Sequence, residues 1–100
     1  MAGPKKRHRI HDEAILDLRL GARFYEGRRR GLGQEFVLAV DDAIAKVVAA
    51  PQRWPRFFGA QRYLLDRFPY SIIYRVVDEQ VQVLAVAFQQ RRPTYWRRRR

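Results

Sequence analysis

The sequence predicts a small α+β domain: an N-terminal helical hairpin packed on a small, mainly antiparallel β-sheet, in the order β-α-α-β-β-β. Three observations predict it. Apolar residues recur at helical spacing from Asp12 to about residue 50, and β-branched and aromatic runs take over after about residue 60. A chain of 100 residues with 47% apolar content has enough material for one core and too little for two.

The elements follow in order. Lys5 to His11 read as a short strand or a basic arm. From Asp12, the expected N-cap, the residues Ala14, Ile15, Leu18, Ala22 and Tyr25 share one helical face, with Asp17, Arg19, Arg23, Glu26 and Arg30 turned away. Arg28, Arg29 and Arg30 suit the negative end of that helix, and Gly31 suits a left-handed stop. A second helix begins at Leu32, with Phe36, Val40, Ala43, Ile44, Val47 and Val48 as its apolar stripe, and Pro51 closes it. The short glycine joint makes the two helices an antiparallel hairpin. Residues 51–59 read as a proline-bounded aromatic loop. Tyr63–Arg67, Tyr70–Val77 and Val81–Phe88 read as a three-stranded meander, the last run being the expected central strand.

Composition narrows the function. The chain has no cysteine, and its two histidines, His8 and His11, lie close together near the N-terminus. Disulfides and thiolate metal sites are excluded, and neither a zinc or iron site nor a Ser-His-Asp triad is expected; no metal or cofactor is implied. No apolar run reaches membrane-spanning length, and no apolar segment follows the early basic residues, so a cytoplasmic protein without a membrane partner is expected. The formal net charge is +11, and its location matters more than its size. Residues 1–10 and 91–100 together hold ten basic residues and no acidic one, leaving the body at +1. Basic ends on a near-neutral body point to a polyanionic partner.

The string Phe68-Pro69-Tyr70 to Val76, with Arg62 before it, and the ending Val83 to Arg99, containing Arg91-Arg92-Pro93-Thr94-Tyr95-Trp96, resemble the RelE/ParE superfamily of type II toxin–antitoxin toxins. Asp17-Leu18, the joint Gly31-Leu32-Gly33 before Phe36, and Pro51 add to the resemblance, which spans residues 9–97. It implies a basic arm or first strand at 1–9, a toxin domain at 10–96 and a basic tail at 97–100. The superfamily holds both ribosome-dependent mRNA endonucleases and gyrase poisons on one scaffold, so fold does not decide activity.

For metal-independent RNA cleavage the resemblance implies Arg91, Tyr95 and Arg62 as catalytic candidates. Arg91 matches a family arginine just beyond the last strand, and Tyr95 lies near the family's C-terminal tyrosine without strict register. Arg67, Arg92, Arg97, Arg98, Arg99 and Arg100 are the nucleic-acid-binding candidates. Arg62 and Arg67, five apart, point to opposite faces of a regular strand, so one of them is expected in the groove. The chain departs from the nuclease pattern in two places. Phe57 and Phe58 stand where lysines are expected, with Lys46 the nearest lysine, and Phe88 stands where many relatives carry histidine. Neither arginine nor an ordinary tyrosine is a base at neutral pH.

Packing roles compete with these. Tyr70 and Tyr74 share a strand face; Trp54, Phe57 and Phe58 fold a loop or stack on bases; Trp96 anchors the C-terminal segment. Three functions follow: a toxin that arrests translation by RelE-like mRNA cleavage at the ribosome, a ParE-like inhibitor of DNA gyrase without nuclease activity, or a non-toxic nucleic-acid or protein binding module. The toxin readings imply a hetero-oligomer with a cognate acidic antitoxin along the helical hairpin and sheet rim.

Overall fold

The computed structural model describes residues 8–99. Strand β1 (His8–Ile10) leads into helices α1 (Asp12–Arg28) and α2 (Leu32–Ala49). A 3-10 turn (Pro51–Arg53) follows, then β2 (Arg56–Phe57), β3 (Ala60–Leu64), β4 (Tyr70–Val77) and β5 (Gln80–Phe88). The five strands form one sheet in the order β1-β5-β4-β3-β2. β1 runs parallel to β5, and the other pairings are antiparallel. No helix among the described residues is long and apolar enough to cross a membrane.

The expected α+β architecture is therefore present, with three local corrections. His11, not Asp12, caps α1: its Nδ1 accepts from the Glu13 N–H at 3.1 Å, and Asp12 is the first helical residue, where its charge favours the helix dipole. The aromatic loop contains the 3-10 turn and β2, because Phe57 pairs with Ala60 across a turn in which Phe58 and Gly59 both take positive φ. The first meander strand is Ala60–Leu64 rather than Tyr63–Arg67. Gln61 holds this register by donating from Nε2 to the carbonyls of Pro51 and Trp54, at 2.8 and 2.9 Å.

The hairpin forms because two glycines let its helices approach. A Cβ on Gly21 would sit 2.6 Å from the Phe36 ring, and one on Gly33 would sit 2.6 Å from the Ala22 carbonyl oxygen. Gly31, at φ +86°, starts α2, and the Glu26 carboxylate accepts from the Gly31 and Gly33 N–H groups. The stripe of α2 (Phe36, Val40, Ala43, Ile44 and Val47) packs with Ala14 of α1 onto Ile72, Tyr74, Val81, Val83 and Val86 of the sheet. Tyr70 and Tyr74 both belong to this core, and the Tyr74 hydroxyl donates to the Pro51 carbonyl. β5 has a strand on each side, as expected for an interior strand.

The opposite sheet face carries a second, smaller core of Ala60, Ile73, Leu84, Ala85, Ala87 and Trp96. Pairing passes from Tyr74–Val83 to Ile73–Ala85, so Leu84 is an extra residue in β5. This bulge puts Leu84 and Ala85, consecutive residues, on the same face.

Candidate functional site

A narrow cleft lies on this second face, between the sheet and the chain after β5. Its walls include Phe57, Arg62, Ser71, Ile73, Phe88, Arg91, Arg92, Tyr95 and Trp96. After Phe88 the chain coils in tight turns, with backbone bonds from Arg91 N–H to Phe88, Tyr95 N–H to Arg92 and Arg97 N–H to Thr94. Pro93 sits at the second position of the turn from Arg92 to Tyr95, where its fixed φ belongs. The turns carry Trp96 back onto the sheet, where it is fully buried. The expected anchoring role of Trp96 is thus realised.

The three catalytic candidates, Arg62 on β3 and Arg91 and Tyr95 on the segment after β5, all line this cleft. Arg62 lies 4.0 Å from the Phe57 ring centroid, and Arg91 lies 3.7 Å from that of Tyr95. Each guanidinium has one face on an aromatic ring and its N–H edges available for an oxyanion. Burial pushes the Tyr95 phenol up to about 12; the Asp17 carboxylate adds to the shift, while Arg99 and Arg91 oppose it. The phenol is therefore protonated at neutral pH and accepts no proton from a substrate hydroxyl. Among the described residues that line the cleft, none is His, Lys, Asp or Glu.

The other candidates separate. Arg92 is exposed at the rim, and Arg97 and Arg98 are exposed beyond it. Arg67 lies away from the cleft, as the five-residue spacing from Arg62 allowed: it pairs with Glu35 of α2 and stacks near Phe68 of the helix-side core. That hydrogen bond, with Arg29 also nearby, holds the Glu35 carboxyl below the usual carboxylate range. Arg100 falls outside the described residues.

Arg99 has an intramolecular role. Its Nη1 donates to Asp17 Oδ2 at 2.6 Å and to the Leu84 carbonyl at 3.1 Å, and its Nη2 donates to Asp17 Oδ1 at 3.3 Å. Glu13 Oε2 faces its Nε at 2.8 Å as an ion pair. Asp17, expected on the outer face of α1, instead faces the sheet, with its side chain and that of Arg99 each only 10% exposed. The geometry of β5 explains this. β1 ends at Ile10, opposite Val83, and beyond that point β5 has no strand neighbour on that side. Asp17 Oδ2 accepts from the Val86 N–H at 3.1 Å, and Arg99 satisfies the Leu84 carbonyl. The pair serves the backbone groups a longer β1 would have paired. The sequence signal lay in Glu13 and Asp17, four apart on one helix face, with Arg99 as the distant cation.

The aromatic loop residues divide between the two faces. Trp54 packs edge-on to Tyr63 with the helix-side core, Phe57 packs toward Trp96, and Phe58 stays exposed.

No family model and no curated protein matches the sequence. A solved structure does match in three dimensions. A chain of the structure titled "Chromosomal ParDE TA system from P. aeruginosa" aligns over 84% of this chain and 96% of its own length, with a TM-score of 0.75 at 16% identity. The likeness is one of fold: the protein shares the overall architecture of that chain, the RelE/ParE-like fold that its Phe-Pro-Tyr strand and Arg-Arg-Pro-Thr-Tyr-Trp ending imply.

Proposed function

We propose that this protein is the toxin of a type II toxin–antitoxin module, and that it arrests growth by binding its target, DNA gyrase, rather than by cutting RNA. The observation that supports the choice is the cleft itself: among the described residues its lining offers cations and aromatic surface but no carboxylate, imidazole or amine, and burial holds its one phenol neutral up to about 12. The ParDE neighbour supports the toxin–antitoxin assignment.

A second reading, metal-independent mRNA cleavage at the ribosome, is favoured by the convergence of Arg62, Arg91 and Tyr95 on one cleft. In it the arginines would stabilise the phosphorane-like charge, and the neutral Tyr95 could serve only as the acid that protonates the leaving oxygen.

The antitoxin is expected on the hairpin. Leu16, Leu20 and Phe24 recur four apart on α1 and are each more than half exposed. Exposed Arg19 and Arg23 flank this apolar stripe, and the Arg28 guanidinium lies over the Phe24 ring. An amphipathic segment with acidic flanks matches both features, and the toxin's net +11 favours it further. Target and antitoxin then place the protein in the cytoplasm.

The deciding experiment expresses the protein under tight control and follows translation and DNA integrity in the same cells. Double-strand breaks with intact mRNA are the expected result. Rapid translation arrest with mRNA cut within codons, abolished by Arg91→Ala and reduced by Tyr95→Phe, would establish cleavage instead. No growth defect would leave a binding module on the same fold.

A further inference from the structure

Two buried donors in the cleft find no hydrogen-bond partner among the described residues: the Ser71 hydroxyl and the Trp96 indole N–H. Ser71 is 2% exposed and Trp96 is fully buried. Buried donors are nearly always paired, so two orphans lining one cleft identify a place for an acceptor. The cavity there measures about 20 Å³, room for a single oxygen-sized group. The same cleft is lined by Arg62 and Arg91, whose guanidiniums are each stacked on a ring with N–H edges left to bind charge.

We propose that this cleft binds one carboxylate of an acidic polypeptide, with one oxygen reaching the Ser71 and Trp96 donors and the other meeting Arg62 and Arg91. The shape favours a carboxylate over a nucleic-acid phosphodiester. An Asp or Glu side chain carries its carboxylate on a one- or two-carbon stem and can lower a single oxygen into a narrow slot. A phosphodiester is flanked by two sugars, which a cavity of about 20 Å³ has no room to admit beside the phosphate. Mixed apolar and cationic walls also suit a polypeptide, whose neighbouring residues need carry no charge. The inference rests on the reading of this chain as the partner of an acidic protein and adds the point on the toxin at which one acidic side chain is gripped.

The two tryptophans allow a direct test on the full chain. The indole N–H of Trp54 is also buried without a partner, but Trp54 packs against Tyr63 with the core on the other sheet face, so it serves as an internal reference. Acetate and inorganic phosphate are titrated separately against chloride at matched ionic strength, and both indole N–H resonances are followed by NMR. Acetate is expected to move the Trp96 resonance downfield in a saturable manner and to leave Trp54 in place. Ser71→Ala should weaken acetate binding about tenfold while leaving the unliganded spectrum otherwise intact, since one hydrogen bond to a charged group is lost. Arg62→Gln should weaken it as well, through the rim rather than the floor. Absence of a saturable Trp96 shift, or equal shifts at both tryptophans, would overturn the proposal. Saturation by phosphate at lower concentration than acetate would also overturn it and assign the cleft to a nucleic-acid backbone. Because the measurement needs no cells, its failure would leave the toxin reading standing, and a non-toxic chain could still bind acetate.

Discussion

The two faces of the sheet are closed by different means. The helix-side face is covered by seventeen- and eighteen-residue helices whose stripes pack on six buried strand side chains, Tyr63, Ile72, Tyr74, Val81, Val83 and Val86. Its stability is spread over many contacts, none of them indispensable alone. The opposite face is covered by little more than one turn-rich segment, with Trp96 as the only large side chain fully buried against the sheet among the described residues of that segment and Arg99 as its fastening. Broad apolar burial makes a face robust, whereas closure by one anchor and one ion pair concentrates the loss in two residues. It also leaves room beside the anchor for a ligand, and the cleft lies on that second face.

The largest expected effect comes from removing the anchor. Trp96→Ala should lower stability by about 3–5 kcal/mol, the range for deleting a buried large aromatic. It should also expose Ile73 and Leu84, detectable as dye binding to apolar surface, while the helical circular dichroism persists. Simultaneous loss of the helical signal under native conditions would show that the two faces are one cooperative unit and break the contrast drawn above.

A smaller loss is expected at the fastening. Asp17→Asn removes the bidentate partner of Arg99 and leaves Glu13 as its remaining carboxylate, so it should cost about 2–3 kcal/mol in chemical denaturation, less than stranding a buried arginine with no counter-ion at all. Combining it with Arg99→Ala tests the coupling: the double variant should lose less than the two single losses added together, because the two side chains share one interaction. Additive losses would mean that Arg99 holds the segment through the Leu84 carbonyl alone.

The smallest effect sharpens the comparison by pH. Each face holds a tyrosine pushed up by burial to about 12, Tyr74 on the helix side and Tyr95 on the other. A raised phenol means the folded chain holds its proton where the unfolded chain has released it. Stability from this source is therefore complete below the ordinary value of 10.0 and is lost as pH rises toward about 12. Tyr95→Phe should flatten part of that alkaline loss in denaturation midpoints measured across the window. An unchanged profile would place the whole alkaline dependence on the helix side, with Tyr74 and the more weakly raised Tyr25 and Tyr70.

Much of the helix-side face was legible in the residues because its signals are local and periodic. Ala14, Leu18, Ala22 and Tyr25 mark the inner face of α1 by spacing alone, and Phe36 to Val47 do the same for α2, whereas Ile15, read on the same face, stays outside that core. The misreading of Asp17 shows the limit. Periodicity assigns a charged residue to solvent, and only the end of β1 opposite Val83 creates the unpaired β5 backbone that draws a carboxylate inward. The strand slip at Tyr63–Arg67 has a similar origin, since Gln61 is tied to the loop before it by bonds that no strand propensity encodes. Arg99 looked like one more residue of a basic run, and its partners lie more than eighty positions away on α1.

The sequence by itself determined the α+β class, the helical hairpin with its glycine joint, the meander, and a net charge of +11 concentrated in residues 1–10 and 91–100. Those follow from local spacing, turn chemistry and composition, which act over a few residues at a time. Only the tertiary structure decided that Arg62, Arg91 and Tyr95 meet in one cleft, that Ser71 and Trp96 leave two donors at its floor, and that Arg99 closes the molecule. These depend on which strand edges remain unpaired and on one extra residue in β5, properties of the assembled sheet that no short window of sequence contains.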